Sequence, residues 1–126
     1  MKQLIAILAL VFTIHESKAQ IYYARQVATA TYSSYSGKYI WESPSYENIK
    51  FTVQGNKIYL ENQAASVYTV SSKLTDNTNS DNTHEIDYQA TNKNGVSCVV
   101  KWYTYPDGSM RMYIQFSDCA LLYVFI

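Results

Sequence analysis

Tyr105-Pro106-Asp107-Gly108 leaves the residues on either side almost no choice of register. Proline fixes φ at the first corner of a type I turn, and glycine accepts the left-handed conformation that leads into a bulge. Closing Tyr105 against Ser109 sets Trp102 opposite Met112, Val100 opposite Ile114 and Cys98 opposite Phe116. All six are apolar, so one face of this hairpin must turn inward. The other face then carries Lys101, Tyr103 and Tyr105 beside Arg111, Tyr113 and Gln115.

A second hairpin is set in the same way. Ile49 to Gln54, Gly55-Asn56 and Lys57 to Asn62 read as two strands around a two-residue turn, with Val53 opposite Ile58 and Phe51 opposite Leu60. Short runs rich in Thr, Val, Tyr and Ile continue along the chain, each ended by a polar cluster. Ser66 to Leu74 puts Tyr68, Val70 and Leu74 on its apolar side. Asp76 to Thr83 is a polar loop, and His84 to Ala90 carries Ile86, Tyr88 and Ala90 on one face. Leu121 to Ile126 is apolar throughout and reads as a closing strand buried on both sides. Tyr22 to Tyr32 fits either state, because Ala24, Ala28 and Ala30 tolerate a helix while Val27, Thr29 and Thr31 favour a strand. Ser33 to Gly37 ends that run, and Lys38 to Trp41 is extended again. The pattern predicts an all-β fold, a single-domain antiparallel meander of about seven to eight strands forming a small sandwich or barrel.

The start of the chain has a different character. Met1-Lys2 is basic, Leu4 to Ile14 is almost unbroken apolar sequence, and Ser17-Lys18-Ala19 places small residues where a signal peptidase reads. Residues 1–19 are therefore read as a secretory signal peptide cut between Ala19 and Gln20, and 20–126 as an exported domain, secreted or periplasmic. The apolar run is too short for a permanent spanning helix and no second one follows, so no integral membrane segment is expected after processing. Removing Lys2, Lys18 and Glu16 leaves eight basic against nine acidic residues. No basic stripe is present, which excludes recruitment by nucleic acid. Cys98 and Cys119 are the only cysteines, and in an oxidising compartment they are expected to pair. That bond requires the chain at Ser117 to Ala120 to curl back over the partner strand. Otherwise both thiols pack as small apolar groups.

Catalytic patterns are weak. After processing, His84 is the only histidine, and no serine or cysteine near it has the surroundings of an activated nucleophile. Glu85 and Asp87 share one strand face, whereas glycosidase carboxyl pairs converge across a cleft from different elements. Asp76 to Asn82 is dense in oxygen donors, but Asp81 stands where a calcium loop needs glycine. Zinc would have one histidine and two committed cysteines. No catalytic set, metal or cofactor is expected.

Tyrosine is the remaining signal. All thirteen tyrosines follow residue 19, and a domain this small cannot bury thirteen phenols with partners for every hydroxyl. Tyrosine combines a stiff contact surface with a polar tip, which is why binding surfaces favour it. Lys101, Tyr103, Tyr105, Arg111 and Tyr113 form the candidate ligand- or partner-binding face. The expected function is non-enzymatic recognition of a protein or glycan surface. The alternative is a lipocalin-like carrier of a small apolar ligand, whose barrel would have to stay unfilled. A hydrolase using Glu85, Asp87 or His84 ranks behind these, as does an outer-membrane barrel.

Overall fold

The computed structural model describes residues 19–61 and 66–125, so the expected signal peptide, residues 1–19, lies outside the described residues except for its last residue. Among those described there is no helix. Nine strands follow one another: β1 (Gln20–Ser33), β2 (Lys38–Trp41), β3 (Ser45–Gln54), β4 (Lys57–Leu60), β5 (Ser66–Thr78), β6 (His84–Thr91), β7 (Ser97–Thr104), β8 (Met110–Gln115) and β9 (Cys119–Phe125). Each strand from β3 to β9 pairs antiparallel with the next, β1 pairs with β3, and β9 returns to β1. The meander therefore closes into an eight-strand barrel, the second of the two expected architectures. The ninth strand, β2, lies along the far end of β1, pairing Lys38 to Trp41 with Ser33 to Ala30.

Both hairpins keep the register that their turns dictate. Val53 faces Ile58 and Phe51 faces Leu60 across Gly55-Asn56. Trp102 faces Met112 and Val100 faces Ile114 across the 105–109 turn, where Gly108 takes φ 89° and donates its N–H to the Tyr105 carbonyl at 2.9 Å.

The ambiguous first run is a strand because both its edges find partners. A bulge between Ala24 and Gln26 resets its alternation, so Ala24 and Val27 both join the core. Ala24 sits between Ile49 on one side and Phe125 on the other. Small residues there make room for the rings that fill the barrel. Phe51 meets Tyr123 and Phe125, each at 4.8 Å between centroids in edge-to-face contact. Ile49, Leu60, Val100, Met112 and Ile114 are fully buried around them. Toward one mouth, Trp102 packs against Tyr22 at 5.1 Å and Phe125 at 5.5 Å.

Three expectations need correction. Leu74 is half exposed, because bulges between Val70 and Ser72 and between Lys73 and Thr75 break the alternation that would have turned it inward. The polar loop is shorter than 76–83, since Asp76 to Thr78 extend β5 and pair with Ile86 to His84. Finally, Cys98 and Cys119 are both free thiols. They lie on β7 and β9 with β8 between them, and two strand spacings amount to about 10 Å, beyond the reach of a disulfide. The chain does not curl over β7. It turns tightly, with the Phe116 N–H donating to the Cys119 carbonyl at 2.8 Å, and starts β9 directly beside β8. Burial pushes the Cys98 thiol up to about 11, consistent with an apolar packing role.

Where β5 and β6 run past β4, Asp76 ties the two strands. Its carboxylate bonds His84 Nε2 at 2.5 Å and Lys73 Nζ at 3.1 Å. The His84 hydrogen bond, followed by Lys73, holds the Asp76 carboxyl below its ordinary range. A depressed carboxyl value means stabilisation present above the unfolded pKa of about 3.9 and lost as pH falls through the lower folded value. Amide exchange in β5 residues 72–78 is therefore expected to quicken, relative to β7, only below about pH 4. In Asp76→Asn those amides should exchange faster already at neutral pH and show no further acid step. An unchanged acid step in the variant would remove Asp76 from this role.

Candidate functional site

Because Val100 and Trp102 point inward from β7, and Met112 and Ile114 from β8, the residues between them must face out. The register sets Tyr103 across from Arg111 and Lys101 across from Tyr113. On the other flank of β7, Glu85 lies across from Tyr103 and Asp87 across from Lys101. The five residues expected from the sequence thus share one side of the barrel. Tyr103 meets Tyr113 edge-to-face at 5.4 Å and lies nearly parallel to Tyr105 at 6.4 Å. The Arg111 guanidinium sits 5.6 Å from the centre of the Tyr105 ring, within cation–π range. Lys101 makes its contribution through charge, drawing the Glu85 carboxyl downward.

The structure adds Trp41, which the sequence alone did not place here. Its ring meets Tyr113 at 6.0 Å, although β1 and β9 separate β2 from β8. For the two rings to touch, they must lean across that gap, over the outer side of β1 and β9. The outward residues in the gap are Ala28, Ala30, Ala120 and Leu122; the alanines are at most 8 % exposed, and Leu122 lies half-buried beside Tyr113. Ala30 pairs with Trp41 on one edge and Ala120 on the other. Small side chains at the three alanine positions leave room for the rings to approach the wall. The result is an aromatic line from Trp41 through Tyr113 and Tyr103 to Tyr105. It ends in an open depression of about 530 Å³ lined by Tyr105, Pro106, Asp107, Ser109 and Arg111.

Glu85 and Asp87 border this line. Burial first, and then the hydrogen bond and charge of Asp87, push the Glu85 carboxyl above its ordinary range, with a Tyr103 hydrogen bond acting in the opposite sense. Asp87 Oδ1 is shut off from solvent beside the Glu85 carboxyl. Burial and the Glu85 charge raise the Tyr103 phenol, keeping it protonated and able to donate. Two touching carboxyl groups on a convex wall leave no space for a glycosidic bond between them. His84 belongs elsewhere: it alternates with Glu85 on β6 and is held by Asp76 on the other side of the sheet. The oxygen-rich 76–82 stretch is likewise committed, Asp76 to His84 and Lys73, and Asp81 to the Thr83 N–H at 3.0 Å.

Ring contacts, register and interleaved charge therefore define one continuous face over β6, β7 and β8, carried across β9 and β1 to β2. Compared with known proteins, the chain matches no family model, no curated relative and no solved structure.

Proposed function

We propose that this chain is an exported, non-enzymatic recognition module that binds a protein or glycan surface through its outer tyrosine-rich wall. The observation that carries the reading is the unbroken aromatic line from Trp41 to Tyr105, flanked by Lys101 and Arg111. An extended row of half-exposed rings on a rigid sheet is a preorganised contact surface, which lowers the entropy lost on binding. The interior argues for the outer wall over the carrier alternative, because Phe51, Tyr123 and Phe125 occupy the space a carried ligand would need. Export rests on the basic start, apolar run and Ser17-Lys18-Ala19 site.

The test compares retention of the mature chain and the Tyr103→Ala/Tyr113→Ala double variant on native envelope and extracellular fractions of the source cells. Tyr59→Ala serves as the control, since Tyr59 is exposed on β4, four strands from β8 in either direction around the barrel. Retention is expected to vanish in the double variant and persist in the control. Equal retention of all three proteins would end the proposal.

A further inference from the structure

Acids and bases on the outer wall alternate rather than segregate. One cross-strand row runs Asp87, Lys101, Tyr113, and the next runs Glu85, Tyr103, Arg111. At a strand spacing of about 4.8 Å, any strongly charged ligand that satisfied one sign would press against the other. A polyanion reaching Lys101 and Arg111 would meet Glu85 and Asp87, and a polycation would meet the reverse. Asp107 adds a third acid beside the depression, but its carboxylate is already turned onto Ser109, accepting from the backbone N–H at 2.9 Å and the hydroxyl at 2.7 Å.

The rings between these charges ask for something else. Trp41 is 40 % exposed, and Tyr103, Tyr105 and Tyr113 are each partly exposed, so each offers a π-face or edge together with a polar tip. A matching ligand has apolar C–H faces for the rings and hydroxyl edges that both donate to carboxylates and accept from cations. The line crosses β2, β1, β9, β8 and β7 on a convex wall, which suits an extended chain better than a compact small molecule. A protein footprint of about 800 Å² would strip water from the charges on both sides of that narrow line. A linear chain lying on the rings leaves them open to water except where its own hydroxyls take the place of water.

On the reading of this wall as a binding face, we propose that its ligand is an uncharged carbohydrate chain laid along the line from Trp41 to Tyr105. The sugar faces stack on the rings. Hydroxyls at their edges bond Glu85, Lys101 and Arg111, and one end of the chain reaches the depression beside Tyr105.

Calorimetric and tryptophan-fluorescence titrations of the mature chain with cellohexaose, xylohexaose, mannohexaose and N-acetylchitohexaose test this, with galacturonate and glucosamine hexamers as charged controls. At least one neutral hexamer is expected to bind, more tightly than either charged one, with affinity nearly independent of salt. Trp41→Ala and Tyr105→Ala should each weaken it about fivefold or more, while Trp41→Phe and Tyr105→Phe keep most of the affinity. Far-UV circular dichroism confirms that each variant folds. Preference for a charged hexamer, or affinity unmoved by both alanine variants, would overturn the proposal. Binding to none of the neutral hexamers would do so too. If the Tyr103→Ala/Tyr113→Ala protein still loses its native retention in that last case, the wall remains a binding face and its ligand is a protein.

Discussion

Phe51→Ala is expected to destabilise the barrel by about 3–5 kcal/mol, the range for removing a buried aromatic ring from a filled core. Phe51 is wholly buried and touches Tyr123 and Phe125, the two largest rings that β9 sends inward. It also lies between Tyr22 on β1 and Leu60 on β4, so the void would open where four strands meet. Domains of this size hold about 5–15 kcal/mol in total, so the variant should lose at least about a fifth of its stability. Urea titration followed by tyrosine and tryptophan fluorescence measures this, with the loss appearing as a lower midpoint at an unchanged slope. A loss below about 1 kcal/mol would mean that Phe51 lines a space instead of filling one, which is the geometry a carrier needs.

The Tyr103→Ala/Tyr113→Ala protein is expected to separate binding from stability. Neither ring belongs to the core cluster, and their contact is a cross-strand pair on the outer wall. Such pairs contribute about 0.2–1 kcal/mol each, so the double change should lower stability by no more than about 2 kcal/mol. Binding responds differently. Tyr113 links Trp41 to Tyr103, and Tyr103 links Tyr113 to Tyr105, so removing both leaves only the two ends of the line. Aromatic anchors at an interface contribute about 2 kcal/mol or more each, which together is a loss approaching about a thousandfold. Paired measurements of denaturation midpoint and retention check both halves. A large stability loss with proportionate binding loss would make the two tyrosines structural supports.

What the residues revealed in advance depended on how local the cause was. Gly55-Asn56 and Pro106-Asp107-Gly108 fix strand registers within a few residues, and the pairings around them match the expected ones. The same hairpin register placed Lys101, Tyr103, Arg111 and Tyr113 on one face. Leu74 was misplaced because a β-bulge leaves no composition mark: the two in β5 shift the alternation in a run that reads as regular. Trp41 was missed for a longer-range reason. Its meeting with Tyr113 requires β9 to close on β1, a pairing of residues some ninety positions apart that no turn specifies. Glu85 and Asp87 were legible as neighbours on one strand, but their place beside the tyrosines needed the β6–β7 register across the Asn92–Val96 link. Ala28 and Ala30 read as residues that tolerate a helix, whereas on the closed barrel their smallness leaves room for rings on the outer wall.

Hydroxyl-radical footprinting of residues 20–126, alone and with the retained partner bound, tests the outer wall most directly. Protection is expected at Trp41, Tyr103, Tyr105 and Tyr113, with Tyr46 and Tyr59 labelled as before. Protection at Tyr46 and Tyr59 with the other four unchanged would place recognition on a different face and contradict the outer-wall assignment.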